Sequence, residues 1–217
     1  MKTISITISV LYIMFSGLST FSQAIDRSHH FEGTWNTSFG ELRIVAKHNN
    51  SIYGDYHNVG VLYGGIEKKA DGTYWFSGTF ENYNVGKKGM FGFKIPVKNN
   101  LYGQWQWRGE VNQKKDWTGT KKSATKPQLK YFYKTIVHHY DKKKKLQPAT
   151  YSLAAFQDGI LRLNSEVKTD SYEIMLPKGT WQLRLMGEHR KVIAETTIVI
   201  KEGYPGKNNY YKINLYE

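Results

Sequence analysis

The 217-residue chain has no cysteine. That excludes disulfides, a thiol nucleophile, a thiolate metal centre and lipid attachment at a bacterial lipobox. A fold outside the cell must then be held by its core alone. Long hydrophobic runs are also missing: no stretch after the N-terminal one approaches the ~20 apolar residues that a membrane helix needs. There is no hydrolase elbow, P-loop, dinucleotide fingerprint or His-Glu-x-x-His pair. Negative charge is scarce, with 18 Asp and Glu against 31 Lys and Arg, for a formal charge of +13. Such a field attracts anionic surfaces such as lipopolysaccharide, acidic polysaccharide or nucleic acid, and it also serves solubility.

The N-terminus reads as a targeting segment. Lys2 is followed by an apolar stretch from Ile4 to Leu18 that is too short and too interrupted by Ser and Thr to span a bilayer. Ser22-Gln23-Ala24 then ends on the small residue that signal peptidase requires. We read residues 1–24 as a signal peptide and 25–30 as a tail, with the product exported to the periplasm or secreted.

What the chain has in abundance is glycine followed two residues later by an aromatic. The phrase occurs as Gly33-Thr34-Trp35, Gly54-Asp55-Tyr56, Gly78-Thr79-Phe80 and Gly103-Gln104-Trp105, with Trp117-Thr118-Gly119 as a reversed echo. Alternation of apolar and polar residues dominates, broken by turn residues, which signals an all-β chain. Eight strands are expected at 31–37, 41–47, 51–57, 60–67, 73–81, 88–95, 100–107 and 115–122, joined as hairpins. A period of two places Trp35, Leu42, Ile44, Ile52, Tyr56, Phe76, Phe80, Phe91, Phe93, Leu101, Trp105, Trp107 and Trp117 inward. Arg43, Lys47, Tyr53, Asp55, Tyr102, Gln104, Gln106 and Arg108 fall outward. Inward glycines suit the tight coiling of a small barrel; an open meander packed on a second domain is the alternative.

The stretch Lys121-Lys122-Ser123-Ala124-Thr125-Lys126-Pro127 marks a boundary, with a linker at 123–127. After it the chain is richer in aliphatics. Tyr172, Ile174 and Leu176 alternate before Pro177-Lys178-Gly179, and Trp181, Leu183 and Leu185 alternate after it, as the two arms of a hairpin.

The opening Gly33-Thr34-Trp35 strand, Gly40, Gly54-Asp55-Tyr56 and Trp117-Thr118-Gly119 resemble the avidin-like and lipocalin-like up-and-down barrels over residues 31–122. The resemblance implies a ligand pocket at one barrel mouth. Its positions match Thr37, Phe39, Glu41, Tyr56, Asn58 and Trp107, with Trp105 beside them. Phe39 and Glu41 stand where the avidin pattern has small polar groups, so biotin is not the expected ligand. The alternative is that the aromatics fill the interior, since eight-stranded barrels have little free space. Residues 128–217 resemble the transthyretin-like, carboxypeptidase-regulatory-like sandwich, through Leu176-Pro177-Lys178-Gly179-Thr180-Trp181. That likeness implies seven strands and a structural or adhesive role.

No catalytic residue, cofactor or metal site is expected. His138 and His139 are adjacent on a strand and point to opposite faces. Glu41 and Asp116 could meet across a mouth as an acid–base pair. Asp141 to Lys145 reads as a hairpin tip. With Lys121 and Lys122, the run Lys142, Lys143, Lys144 and Lys145 could grip an anionic surface, whereas the scarcity of arginine argues against sequence-specific nucleic-acid binding. The leading expectation is a non-enzymatic binding protein that takes a small-molecule or glycan-like ligand at the barrel mouth. The second is an adhesive envelope accessory, and the third is a glycan-active enzyme using Glu41 or Asp116.

Overall fold

A computed structural model describes residues 28–47, 51–110, 112–203 and 209–217. The expected signal peptide, residues 25–27 of the tail and residues 48–50 between the second and third expected strands lie outside the described residues. The fold is all-β. Eight strands form the first domain: β1 (Gly33–Thr37), β2 (Gly40–Ala46), β3 (Ser51–Tyr56), β4 (Gly60–Lys68), β5 (Tyr74–Asn82), β6 (Lys87–Val97), β7 (Asn100–Trp107) and β8 (Lys115–Ser123). Each pairs antiparallel with the next, and β8 returns to β1, so the sheet closes into a barrel and the open-meander alternative falls.

Closure follows from the pattern. The inward positions carry Trp35, Leu42, Ile44, Ile52, Tyr56, Phe76, Phe80, Phe91, Phe93, Leu101 and Trp117, all buried in one cluster that Phe31 and Leu62 complete. The repeated glycines permit the coiling: a Cβ at Gly78 would lie 2.1 Å from the Tyr63 carbonyl oxygen, and one at Gly103 would lie 2.3 Å from that of Gly92.

The outward positions divide in two. Tyr53 and Asp55, read as outward, are 4% and 0% exposed. They do point out of the barrel, but the second domain packs against that wall. Val45, Tyr53, Val61 and Tyr63 join Phe132, Leu176 and Trp181 in a single core shared by both domains. The Tyr63 hydroxyl donates to Gln157 Oε1 (2.7 Å), and its ring meets Trp181 edge-on at 5.6 Å. Asp55 takes Arg43 Nε at 2.6 Å on one oxygen and the backbone N–H of Lys130 at 2.6 Å on the other.

The second domain is a sandwich of β9 (Phe132–Tyr140), β10 (Ser152–Gln157), β11 (Ile160–Asn164), β12 (Glu166–Val167), β13 (Tyr172–Pro177), β14 (Gly179–Met186), β15 (Val192–Ile200) and β16 (Tyr211–Tyr216). One sheet runs β11-β10-β14-β15 and the other β12-β13-β9-β16, so the described residues form eight strands where seven were expected. The hairpin expected at Pro177-Lys178-Gly179 is a corner between sheets: β13 pairs with β9, and β14 pairs with β10 and β15. Both alternations were read correctly, since each arm buries its apolar face, but the faces meet across the core rather than side by side.

The two domains begin their principal strands in the same way. In Phe31-Glu32-Gly33-Thr34-Trp35 the indole N–H of Trp35 donates to the Phe31 carbonyl at 2.8 Å. In Pro177-Lys178-Gly179-Thr180-Trp181 that of Trp181 donates to Pro177 at 2.9 Å. The intervening glycines hold φ of +130° and +139°, a region that L side chains avoid. At Gly33 a Cβ would also lie 2.2 Å from the Ser123 carbonyl oxygen on β8. Gly33→Ala is therefore expected to weaken the β1–β8 seam by about 2–3 kcal/mol. Gly72→Ala, where φ is +81° and nothing lies within 4 Å, should cost about 1 kcal/mol. Urea denaturation of the two variants checks the difference.

Candidate binding site at the barrel mouth

The ends of β1, β3, β5 and β7 share one mouth with the starts of β2, β4, β6 and β8. Between β1 and β2 the chain turns in two residues, Ser38 and Phe39, with Thr37 opposite Gly40. Thr37 Oγ1 donates to the Gly40 carbonyl (2.6 Å) and accepts the indole N–H of Trp117 (3.0 Å), which ties the turn to β8. Phe39 is thereby laid over the opening. Its ring meets Trp105 and Trp117 edge-on at 5.5 and 5.4 Å, and it is 40% exposed.

Beneath it the rings are continuous. Phe80 touches Trp105 at 5.6 Å and Trp107 at 5.2 Å, the two tryptophans meet at 5.1 Å, and Tyr56 meets Trp117 at 5.3 Å. Edge-to-face packing of this kind fills space and fixes ring orientation. One polar atom within it makes no hydrogen bond, the indole N–H of Trp105, whereas the Tyr56 hydroxyl faces the Asn82 side chain. Burial raises the Tyr56 phenol far above its ordinary value, so it stays a neutral donor. Two cations flank the rim, with Lys115 Nζ 5.1 Å from the Trp105 ring and Lys87 Nζ 5.7 Å from that of Trp107.

Thr37, Phe39, Tyr56, Trp105 and Trp107 are thus brought together at one mouth. Glu41 and Asn58 are not part of the ring cluster. Glu41 is exposed and pairs with Lys122 at 2.9 Å. The Asn58 carbonyl accepts the hydroxyl of Tyr131, from the segment between the domains. Asp116 accepts from Gln104 at 3.3 Å, so Glu41 and Asp116 are held by different partners. Sequence reasoning placed Phe80 and Trp117 inward but did not assign them to the mouth. Cross-strand register, which alternation does not carry, puts them there. Lys87 and Lys115 gave no signal beyond their charge.

The lysines separate as well. Lys121 Nζ donates to the carbonyls of His30 (3.0 Å) and Glu32 (2.8 Å) and lies 4.7 Å from the Trp35 ring. It holds the N-terminal segment on the barrel, and burial lowers its pKa. Lys142, Lys143, Lys144 and Lys145 are all exposed, on a turn closed by Asp141, which accepts the backbone N–H groups of Lys143 (2.8 Å) and Lys145 (2.9 Å). His139 is buried, with Nε2 3.1 Å from Glu217 Oε1, while His138 faces the other side of β9.

Among the described residues no three His, Asp or Glu side chains are placed to hold a metal. No described helix is long and apolar enough to cross a membrane. Comparison with protein-family models, curated proteins and solved structures finds no match to this chain.

Proposed function

We propose that this is an exported, non-enzymatic binding protein whose barrel takes a small-molecule or glycan-like ligand at its aromatic mouth. The carrying observation is the buried, unbonded indole N–H of Trp105, set in a wall of aromatic rings. A buried polar group without a partner costs about 1–3 kcal/mol, and a ligand offering oxygen acceptors there would remove that cost. The ligand this favours has a flat or ring-shaped body for the aromatics. An anionic group on it would face Lys87 and Lys115. Phe39 must swing aside on its two-residue turn to admit it. The export reading rests on the N-terminal segment. The likeness to avidin-like and lipocalin-like barrels agrees with a mouth site, as the transthyretin-like likeness agrees with a sandwich that acts as support.

Tryptophan fluorescence titration with hydroxylated aromatic acids and short uronic-acid oligosaccharides tests the reading. A saturable shift is expected, strengthened several-fold in Phe39→Ala and lost in Trp105→Phe, which removes the indole N–H. A signal that is flat in every variant would sink it.

A second reading has its own observation, the four exposed lysines on the Asp141-capped turn. They suit attachment to an anionic envelope surface. Binding to vesicles rich in anionic lipid should then fall steeply with salt and vanish when the four lysines become serine. The enzyme reading has the least support, because Glu41 and Asp116 are engaged separately.

A further inference from the structure

Strand β11, at the edge of its sheet, carries an irregularity that aims one side chain at the barrel. Leu161 stands opposite Phe156 and Leu163 opposite Ala155, so Arg162 is an extra residue with no counterpart on β10. A bulge of this kind bends the strand and redirects the side chain it carries. The guanidinium reaches the outer wall of the barrel, where Nη1 donates to Thr79 Oγ1 on β5 at 2.8 Å. Nε is buried and makes no hydrogen bond. No carboxylate pairs with Arg162 among the described residues, which leaves one edge of a permanent cation without a partner.

Arg162 lines a cleft of about 360 Å³ between β11 and the barrel wall. The hollow has its cause in the register. Ser51, Gly65 and Ser77 stand side by side on β3, β4 and β5, so three neighbouring strands present almost no side chain at one level. Ile66 and Leu161 add apolar surface, with Leu161 48% exposed, and Asn164 adds an amide. Among the described residues Arg162 is the one charged side chain in the lining. The acids whose field reaches Tyr63 in the cleft wall are in ion pairs, Glu81 with Lys88 at 3.9 Å and Asp158 with Arg108 at 3.1 Å. Glu166, two residues beyond Asn164, lies between Lys47 and Lys168 at 2.7 and 3.4 Å. The positive charge of Arg162 is therefore uncompensated.

We propose that this cleft binds the carboxylate of a small organic acid. A guanidinium edge fits a carboxylate in geometry, two N–H donors to two oxygens. That seating satisfies the buried Nε and sets one negative charge against one positive charge. A phosphate dianion would exceed the charge that the cleft supplies. The hollow over Ser51, Gly65 and Ser77 receives the body of the acid, with Ile66 and Leu161 against its apolar part. Its volume lies within the range of small-molecule sites. The site is separate from the mouth, since Phe39, Tyr56, Trp105 and Trp107 take no part in its lining.

The test is a titration of the full chain with hexanoate, its neutral amide hexanamide, and inorganic phosphate. Broadening of the hexanoate methyl resonance reads affinity. The arginine Nε–H signals in proton–nitrogen correlation spectra read location, with the signal of Arg162 assigned by its loss in Arg162→Gln. Hexanoate is expected to shift the Arg162 signal to saturation, and hexanamide to leave it in place. Arg162→Gln should weaken hexanoate binding at least about tenfold, the loss expected of a charge-assisted pair. Ser77→Leu, which fills the hollow and keeps the guanidinium, should weaken it several-fold. Melting curves of each variant verify folding. An Arg162 signal that hexanoate does not move, or equal hexanoate affinity in the parent and both variants, would overturn the proposal. So would an equal response to hexanamide, which would remove the charge requirement, or tighter saturation by phosphate, which would make the ligand a phosphate.

Discussion

Raising the pH past about 10 is expected to unfold this protein in a steep step. Tyr53, Tyr56 and Tyr63 are 4%, 6% and 1% exposed. Burial is the largest cause holding all three phenols far above their ordinary value, with nearby carboxylates such as Glu81 adding to it. The folded chain therefore keeps protons that the unfolded chain releases. The contribution of these groups is complete below the unfolded value of about 10 and shrinks as the pH climbs beyond it. Each phenol removes about 1.4 kcal/mol per pH unit, so the three together remove about 4 kcal/mol per unit. Tyr56 lines the barrel, while Tyr53 and Tyr63 sit in the core shared with the sandwich, so both domains are affected. Tyrosinate absorbance and sheet circular dichroism should change together, and because burial also raises the phenols of Tyr83 and Tyr172, Tyr56→Phe should flatten the slope by about a fifth. Phenols that ionise near pH 10 with the sheet intact would contradict the burial argument.

The second large effect is expected from Asp55→Ala. The carboxylate joins three pieces of chain: β3 through its own backbone, β2 through Arg43, and the segment between the domains through the Lys130 N–H. Removing it leaves a partly buried guanidinium and a backbone donor without partners. Breaking one side of a buried pair of this kind costs about 3–5 kcal/mol. Faster proteolysis between residues 124 and 131 should accompany the loss in a denaturation curve. Acid does not imitate the mutation. Burial outweighs Arg43 and the backbone donors and raises the Asp55 pKa. The fold thus binds this proton more tightly than the unfolded chain does, so the group's contribution grows as pH falls through its folded value and declines as pH rises through it. Asp55→Asn, which keeps an acceptor for Lys130, should lose much less than Asp55→Ala.

Strands and their inner faces were legible because alternation and turn residues are local properties. The eight barrel strands lie within two residues of their expected bounds. Tyr53 and Asp55 show the limit. Their side of the strand was read correctly, but what covers that side depends on a domain some eighty residues further along. Pairing was lost for the same reason at Pro177-Lys178-Gly179: alternation says which residues are buried, not whether two strands lie in one sheet or in facing ones. At the mouth, Phe39, Tyr56, Trp105 and Trp107 were found as candidates. Lys121 was grouped with the surface lysines by its charge, although its Nζ is spent on two backbone carbonyls near Trp35. Nothing in the charge pattern distinguishes those roles.

The paired Gly-Thr-Trp openings bear on the order of folding. Each closes its indole hydrogen bond across five residues, 31–35 and 177–181. Loop closure over so short a span loses little chain entropy, so these contacts can form before any distant strand arrives. Barrel closure is the opposite case, since β1 must wait for β8. During synthesis from the N-terminus, the first indole clamp would keep β1 extended and its outer edge shaped for a partner that has not yet been made. The second would do the same for β14, the strand to which β10 and β15 both attach. A long-range topology would thus start from two short-range seeds, one in each domain.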